Sequence, residues 1–466
     1  MNDSINPTAH QQVDVVIVGA GPSGMAAAAA CAENGLGVVV LDEQPGPGGQ
    51  IYRGITTASR HIRRTLGSDY CAGDTLVEGI RNSRIDYRPN TSVWEVTKEK
   101  YLHLTHQGRS SYLQARHIVL ATGAMERPFP IPGWTLPGVM TVGAAQILLK
   151  TTGVATIGPV VLAGCGPLLY LLATQYLSAG VQIAAVVDTT GWADYRNALR
   201  HADGIAADPH SVVKGLKLLR ALRKAKVPFF KNASGFKAIG EDRIRQFQFQ
   251  AGGRMHCIDA NVLLLHHGVV PNTQFTWSLR VPHEWSAQQL CWLAETSPIG
   301  ELAEAKDIFV AGDGAVILGA PAAALHGKAI GVEISYRQGR LPKAGRDQQL
   351  ADLERLLGKA RRFRRFLDAL YRPKLAHRVP ADEVFVCRCE EVTAGALRSY
   401  VALGCHGPNQ TKSFSRCGMG PCQGRQCGLS VTEIIAEERG VEPGTVGYFR
   451  IRPPVKQVKL GELAED

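Results

Sequence analysis

Three cysteines and four glycines fall within residues 416–428, "RCGMGPCQGRQCG", and Cys387, Cys389 and Cys405 precede them. The other five cysteines (Cys31, Cys71, Cys165, Cys257, Cys291) stand singly along the chain, so the cluster is a local device rather than a disulfide framework. One residue separates Cys387 from Cys389, and four separate Cys417 from Cys422. Two close thiolate pairs, joined by an intervening helix over residues 394–403, can supply two ligands to each iron of a 2Fe–2S cluster. Zinc is the competing reading, although its structural sites use C-x₂₋₄-C knuckles, which C-x-C does not match. Glycines 418, 420, 424 and 428 free the backbone to turn N–H groups toward sulfur. Cys427 reads as a spare thiol near the site and Cys405 as a small core residue.

A second chemistry is written near the start. "VDVVIVGAGPSGMAAAAACAENGLGVVVLDE" reads as strand, G-x-G-x-x-G turn, alanine-rich helix and strand. Gly19 allows the tight turn, Gly21 lets backbone approach a pyrophosphate, and Gly24 lets helix and strand pack closely. Pro22 and Ser23 open the helix, whose N-terminus favours phosphate. Asp42, ending the second strand, is positioned to accept ribose hydroxyls, with Glu43 the neighbouring candidate. "PGPGGQIYRG", with Gly49 and Gln50, reads as a loop close to a ligand. Ala121, Thr122 and Gly123 end another buried strand, and Gly312 and Asp313 end a third; capping of the following helix is the plain role for Asp313.

The pattern repeats at residue 160, with Gly164, Gly166 and Asp188 in the corresponding places and Leu169 where a third glycine would stand. Leucine there obstructs close helix–strand packing, so the second turn reads either as a nucleotide site or as a retained fold that binds nothing tightly. Residues 151–187 carry no charge, but "GCGP" interrupts them, and a buried strand plus helix describes them better than a membrane span. From residue 337 the chain is polar and basic: Leu350, Leu353, Leu356 and Leu357 mark a helical apolar face, and Arg361, Arg362, Arg364 and Arg365 its cationic end. That stretch reads as a solvated linker helix or as a docking surface for another subunit.

At 466 residues, with 45% apolar and 20% charged residues, the chain fits a soluble protein of several domains. The net charge of +11 gathers in one segment without aromatic platforms, which argues against nucleic acid. "MNDSINPTAHQQ" has no secretory pattern, so a reducing cytoplasm is the expected setting.

Together "GAGPSG", "LDEQPGPGGQIYR", "ATGAMERPFPIPG", "VAGDG" and "HHGVVPNT" resemble two-dinucleotide-domain flavoproteins related to pyridine nucleotide–disulfide oxidoreductases. "VCRCEEVT" and "SRCGMGPCQGRQCG" narrow the resemblance to the FAD-type large subunit of bacterial hydrogen cyanide synthases, opine oxidases and hydroxyproline dehydrogenases, whose C-terminal domain is similar to bacterioferritin-associated ferredoxin. It runs from about Val13 to Leu463.

The resemblance implies an α/β fold with two Rossmann-like domains of the pyridine nucleotide–disulfide oxidoreductase type and a small helical iron–sulfur domain. The expected divisions are residues 1–150 with 285–336 for FAD, 151–284 for the second dinucleotide-like domain, 337–380 for the basic linker, and 381–466 for the 2Fe–2S domain and tail. It further implies FAD, a 2Fe–2S cluster on Cys387, Cys389, Cys417 and Cys422, a substrate-oxidising flavoprotein partner and a small ferredoxin-like subunit. FMN at a subunit interface and NAD(P) at the second turn are left open, as is attachment to the inner face of the membrane through the electron acceptor. No catalytic acid or base for C–N oxidation can be named in this chain. No C-x₂-C or C-x₄-C pair precedes Cys387, so disulfide reduction is not expected. The alternatives are a self-sufficient NAD(P)H-dependent reductase and a non-catalytic scaffold.

Overall fold

The computed structural model describes residues 12–464. Strand β1 (Gln12–Val18) is a nearly unbroken apolar run, as a parallel strand covered on both faces must be; Val15, Val16 and Ile17 are fully buried. The chain turns into α1 (Pro22–Glu33), with proline in the first turn where its missing N–H costs nothing, and returns as β2 (Val38–Leu41) parallel to β1. Strand β3 (Arg109–Leu120) pairs parallel with the other edge of β1, and also pairs antiparallel with the hairpin partner Tyr101–His106.

The second unit begins earlier than residue 151. Strand β4 (Val139–Thr141) and helix α2 (Val142–Thr152) already belong to it, because β4 pairs with the second sheet. Strand β5 (Val160–Gly164), helix α3 (Pro167–Ser178) and strand β6 (Ile183–Asp188) then form the second strand–turn–helix–strand unit, and β7 (Val262–His266) completes the sheet. The parallel order is Phe229–Phe230, β6, β5, β7, β4. A three-residue strand such as β4 carries too little periodicity to be assigned to a sheet from sequence.

The chain returns to the first sheet through β8 (Ile308–Val310), beside β3, making seven strands in all. Helix α4 (Ala320–Arg337) then lies against α1 at backbone contact: a Cβ on Gly327 would fall 2.0 Å from the Ser23 carbonyl oxygen, and one on Gly331 would fall 2.7 Å from Ala30 Cβ. Small residues on both helices permit this approach.

Helix α5 (Lys343–Leu370) is the basic stretch. Leu353 and Leu357 are buried, Leu356 is exposed, and its arginines are held within the chain: Arg361 by Glu354, Arg364 by Asp368 at 2.6 Å, and Arg365 by Asp203 at 3.4 Å. Those three cations are thereby committed to intrachain pairs.

Helices α6 (Ala394–Ala402), α7 (Pro408–Ser415) and α8 (Gly428–Arg439) form the C-terminal unit. Val431, Ile434 and Ile435 of α8 are fully buried and join one apolar cluster with Val16, Leu102 and Ile118 of the first sheet. A linker between independent cores is therefore not what forms: the C-terminal unit covers the outer face of the first sheet. Among the described residues no helix is long and apolar enough to cross a membrane.

Candidate functional site: a glycine turn and a nest of thiols

The first glycine turn is built by close contact. Gly19 has φ +107°, and a Cβ there would lie 2.5 Å from the Ala121 carbonyl oxygen; one on Gly24 would lie 1.9 Å from the Gly19 carbonyl oxygen. Gly21 instead faces the loop from "PGPGGQ": a Cβ on Gly49 would reach 2.8 Å from Gly21 Cα. Helix α1 has no side-chain cap, so its first-turn N–H groups are available to an anion. Gly312 closes the far side, where a Cβ would come 2.8 Å from Ser23 Cβ. Thr122 Oγ1 donates to the Asn272 carbonyl at 3.2 Å, and the Gly123 carbonyl accepts from Asn272 N at 3.0 Å. Asp313 Oδ1 accepts from Leu318 N at 2.8 Å and Gly319 N at 2.9 Å, the two residues ahead of α4, so it braces the approach to that helix rather than capping it, and burial raises its carboxyl.

The two acids after β2 divide the work. Asp42 is buried; it accepts from Ala20 N at 2.6 Å and Gln44 N at 2.8 Å, so it braces the turn, and burial raises its carboxyl. Glu43 is the exposed carboxylate. Burial acts to raise it, but the Lys456 ammonium at 2.7 Å more than offsets this and leaves it below the usual range. An uncapped helix, glycines at backbone distance and an exposed strand-end acid fit an adenine dinucleotide.

The second turn is closed differently. Gly164 (φ +132°) lies against the His266 carbonyl, and Leu169 is fully buried at the third-glycine position. Asp188 accepts from the Tyr170 hydroxyl at 2.6 Å and from Thr190 N at 2.8 Å, and burial raises it. The residue after it is buried Thr189 rather than an acid. Beside Gly166, the Cys165 thiol donates to the Tyr371 carbonyl at 3.5 Å, and the Tyr371 ring meets Tyr170 edge-on, with centroids 6.1 Å apart.

Sulfurs of Cys387, Cys417 and Cys427 lie within 4.8 Å of one another, all three residues buried. Hydrogen bonds from the Cys417 and Cys427 thiols, with others from the N–H groups of Gly418 and Glu390, pull the Cys387 thiol down to about 2. Cys389 and Cys422 form a second, more accessible pair linked by hydrogen bonds, and burial raises Cys389. Besides the Gly418 N–H to the Cys387 sulfur, three of the glycines make room for aromatic rings and Gly420 for Cys389. A Cβ on Gly418 or Gly424 would lie 2.6 Å from the Phe449 ring, and one on Gly428 would lie 2.2 Å from the Tyr448 hydroxyl. Three sulfurs thus make one group, with Cys389 and Cys422 a separate pair, and thiolates of this kind are donors that suit a soft metal or an iron–sulfur cluster.

Two features escaped sequence reasoning. Cys427 is a central member of the thiol group, although pair spacing alone sets it aside; the start of α8 turns it inward. Lys150, at the end of α2, is 3% exposed and donates to the Gln50 carbonyl at 3.0 Å and Gln146 Oε1 at 2.8 Å. A single lysine in a helix's last turn carries no sequence signal of burial.

Residues 13–331 match the pyridine nucleotide-disulphide oxidoreductase family, and residues 381–466 match the sarcosine oxidase A3 domain. The opine oxidase A subunit of Agrobacterium tumefaciens (strain Ach5) is 44% identical, covering 97% of this chain and 91% of that protein. Hydrogen cyanide synthase subunit HcnB of Pseudomonas aeruginosa is 30% identical over 95% of this chain and 96% of that one. The L-proline dehydrogenase structure from P. horikoshii superposes with a TM-score of 0.71 at 19% identity, covering 97% of this chain and 79% of that chain, a likeness of fold. The chain therefore belongs to the pyridine nucleotide-disulphide oxidoreductase family, grouped there with the opine oxidase A and HcnB subunits, and is an oxidoreductase.

Proposed function

We propose that this chain is the electron-transfer subunit of a multi-subunit oxidoreductase that oxidises the C–N bond of an amino acid, imino acid or opine, with substrate oxidation on a partner flavoprotein. The observation that carries the reading is the joining of two redox-suited sites in one body. The glycine turn and the thiol nest share the core around Ile118 and Val431, and the tail bridges them: Lys456 pairs with Glu43, Val455 N donates to the Trp94 carbonyl at 2.8 Å, and Gln423 Nε2 donates to the Pro454 carbonyl at 2.6 Å. The relatives' names are those of subunits, which supports a complex.

Bound at these sites, FAD would handle electrons in pairs and a 2Fe–2S cluster singly. The chain's own residues do the holding. Gly19, Gly21 and Gly24 bring backbone to the diphosphate, Glu43 is the ribose acceptor, and Asp313 secures the turn into α4. Phe449, 1% exposed, covers the thiol loop against water. Cys387, Cys389, Cys417 and Cys422 are the proposed ligands, with Cys427 the fifth thiol in reach. No acid–base pair for C–N chemistry belongs to this scheme; FMN, if the complex uses it, belongs at the interface with the partner. The engaged Asp188 counts against a self-sufficient NAD(P)H reductase.

The full chain purified anaerobically should carry FAD and about two irons per chain, and should oxidise amino or imino acids only when the partner is added. One zinc and no iron would refute the cluster, and full turnover by the chain alone would refute the partner's role. Rapid flavin bleaching by NADH in stopped flow would favour the reductase instead.

A further inference from the structure

Lys150 is an ammonium buried without a carboxylate. Its partners are the Gln50 carbonyl and Gln146 Oε1, itself close to Gln175, whose Oε1 accepts from Gln146 Nε2 at 3.0 Å. The charged group that bears on it is another cation, Arg53. Arg53 donates through Nε to the Gly49 carbonyl at 3.2 Å and also binds Gln44 Oε1. Two cations from different elements therefore hold two successive carbonyls, Gly49 and Gln50, of the loop that lies over Gly21. The N–H groups of that loop are otherwise placed: Gly48 N donates to the Ala20 carbonyl at 2.8 Å and Tyr52 N to the Gly48 carbonyl at 3.0 Å. Between them, the N–H groups of Gly49, Gln50 and Ile51 have no acceptor among the described residues, and Gly49 sits at φ +58°. Successive free N–H groups around a left-handed residue make an anion-binding concavity. Asp42 and Glu43 act on Arg53, but Lys150 itself has no anion, and a buried ammonium in that position is costly unless a ligand supplies one.

We propose that Lys150, carried by a helix of the second unit, is a positioning residue for the nucleotide of the first. With Arg53 it holds the Gly49 and Gln50 carbonyls away from Gly21, so that the N–H groups of Gly49, Gln50 and Ile51 and the N-terminus of α1 together receive the diphosphate. The arrangement makes nucleotide retention depend on how α2 sits against the loop, and so couples the two units. This rests on the reading that the first turn binds FAD.

The test uses the full chain, stripped of nucleotide and titrated with FAD, with melting of the stripped protein followed in parallel. Lys150→Met should weaken FAD binding at least tenfold while the stripped protein melts no lower at pH 7 than the wild type, and Lys150→Arg should restore most of the affinity. A merely structural lysine would lower both together in Lys150→Met, and that result would overturn the proposal. So would wild-type affinity in Lys150→Met. A wild-type chain that takes up no FAD would instead overturn the underlying assignment of the first turn, and this inference with it.

Discussion

Lys150→Met also has a pH signature in the stripped protein, independent of any ligand. Burial first, and the Arg53 charge second, bring the amine from its ordinary 10.5 to about 7. That fall corresponds to about 5 kcal/mol against the charged form, at 1.36 kcal/mol per pH unit. In the unfolded chain the amine keeps its proton to about pH 10.5; in the folded chain it loses it near pH 7. Folding therefore releases a proton between those values, and stability rises with pH across that window. The penalty is complete below about pH 7 and gone above about pH 10.5. Between pH 7 and pH 9 the wild type should recover about 3 kcal/mol. Methionine carries no such charge, but it leaves the Gln50 and Gln146 oxygens without their donor, at about 1–3 kcal/mol for a buried group. On these figures the variant is the more stable by about 2–4 kcal/mol at pH 7, and its lead shrinks as the pH rises. Urea unfolding of both proteins at pH 6, 7, 8 and 9 measures this, because thiols and tyrosines titrate in both and cancel in the difference. A wild-type-minus-variant difference that stays flat from pH 7 to 9 would refute the reasoning.

Gly24→Val should abolish FAD retention and lower the melting temperature, since even its Cβ would fall 1.9 Å from the Gly19 oxygen; adenine content after denaturation and a melting curve check this. Cys417→Ser should lose the anaerobic iron, whereas Cys405→Ser, away from the buried thiol group, should keep it; metal analysis and the spectrum after one-electron reduction decide. Tyr170→Phe should cost about 1–2 kcal/mol, because buried Asp188 is left with the Thr190 N–H, and denaturant unfolding reads the loss.

The parts of this fold that are legible in the sequence are those where local pattern and tertiary role coincide. β1, α1 and β2 announce themselves because a parallel strand buried on both faces is a continuous apolar run and its turn needs glycine, and β5, α3 and β6 repeat the pattern for the same reason. What stays hidden is long-range. The pairing of β4 with β7, the common core of α8 with the first sheet, and the burial of Lys150 under the loop from residue 48 all join segments far apart in the chain. Cysteine spacing gathers the correct neighbourhood, but the choice among five thiols depends on how α8 begins. The basic end of α5 reads as a docking surface because sequence does not reveal that distant Asp203 waits for Arg365, although the pairing of Arg364 with Asp368 four residues on is local.

The duplication itself then shows how differently the two copies use the same positions. Both units end their second strand in a buried aspartate that accepts the N–H two residues on: Asp42 from Gln44 N and Asp188 from Thr190 N, each at 2.8 Å. That shared bond makes the strand-end aspartate a brace of the turn in both copies. On the proposed reading the carboxylate for a ribose comes from the next position, which is Glu43 in the first copy, whereas the second has buried Thr189 there, with no carboxylate. At the third glycine position, Gly24 lets α1 meet the Gly19 backbone, whereas Leu169 fills the corresponding space, and the next residue, Tyr170, turns its hydroxyl onto Asp188. Each replacement removes one requirement of a dinucleotide and satisfies an internal bond instead. Asp188 of the second unit is thus committed to internal bonds, and under the proposal made for Lys150 that unit also supports the loop of the first.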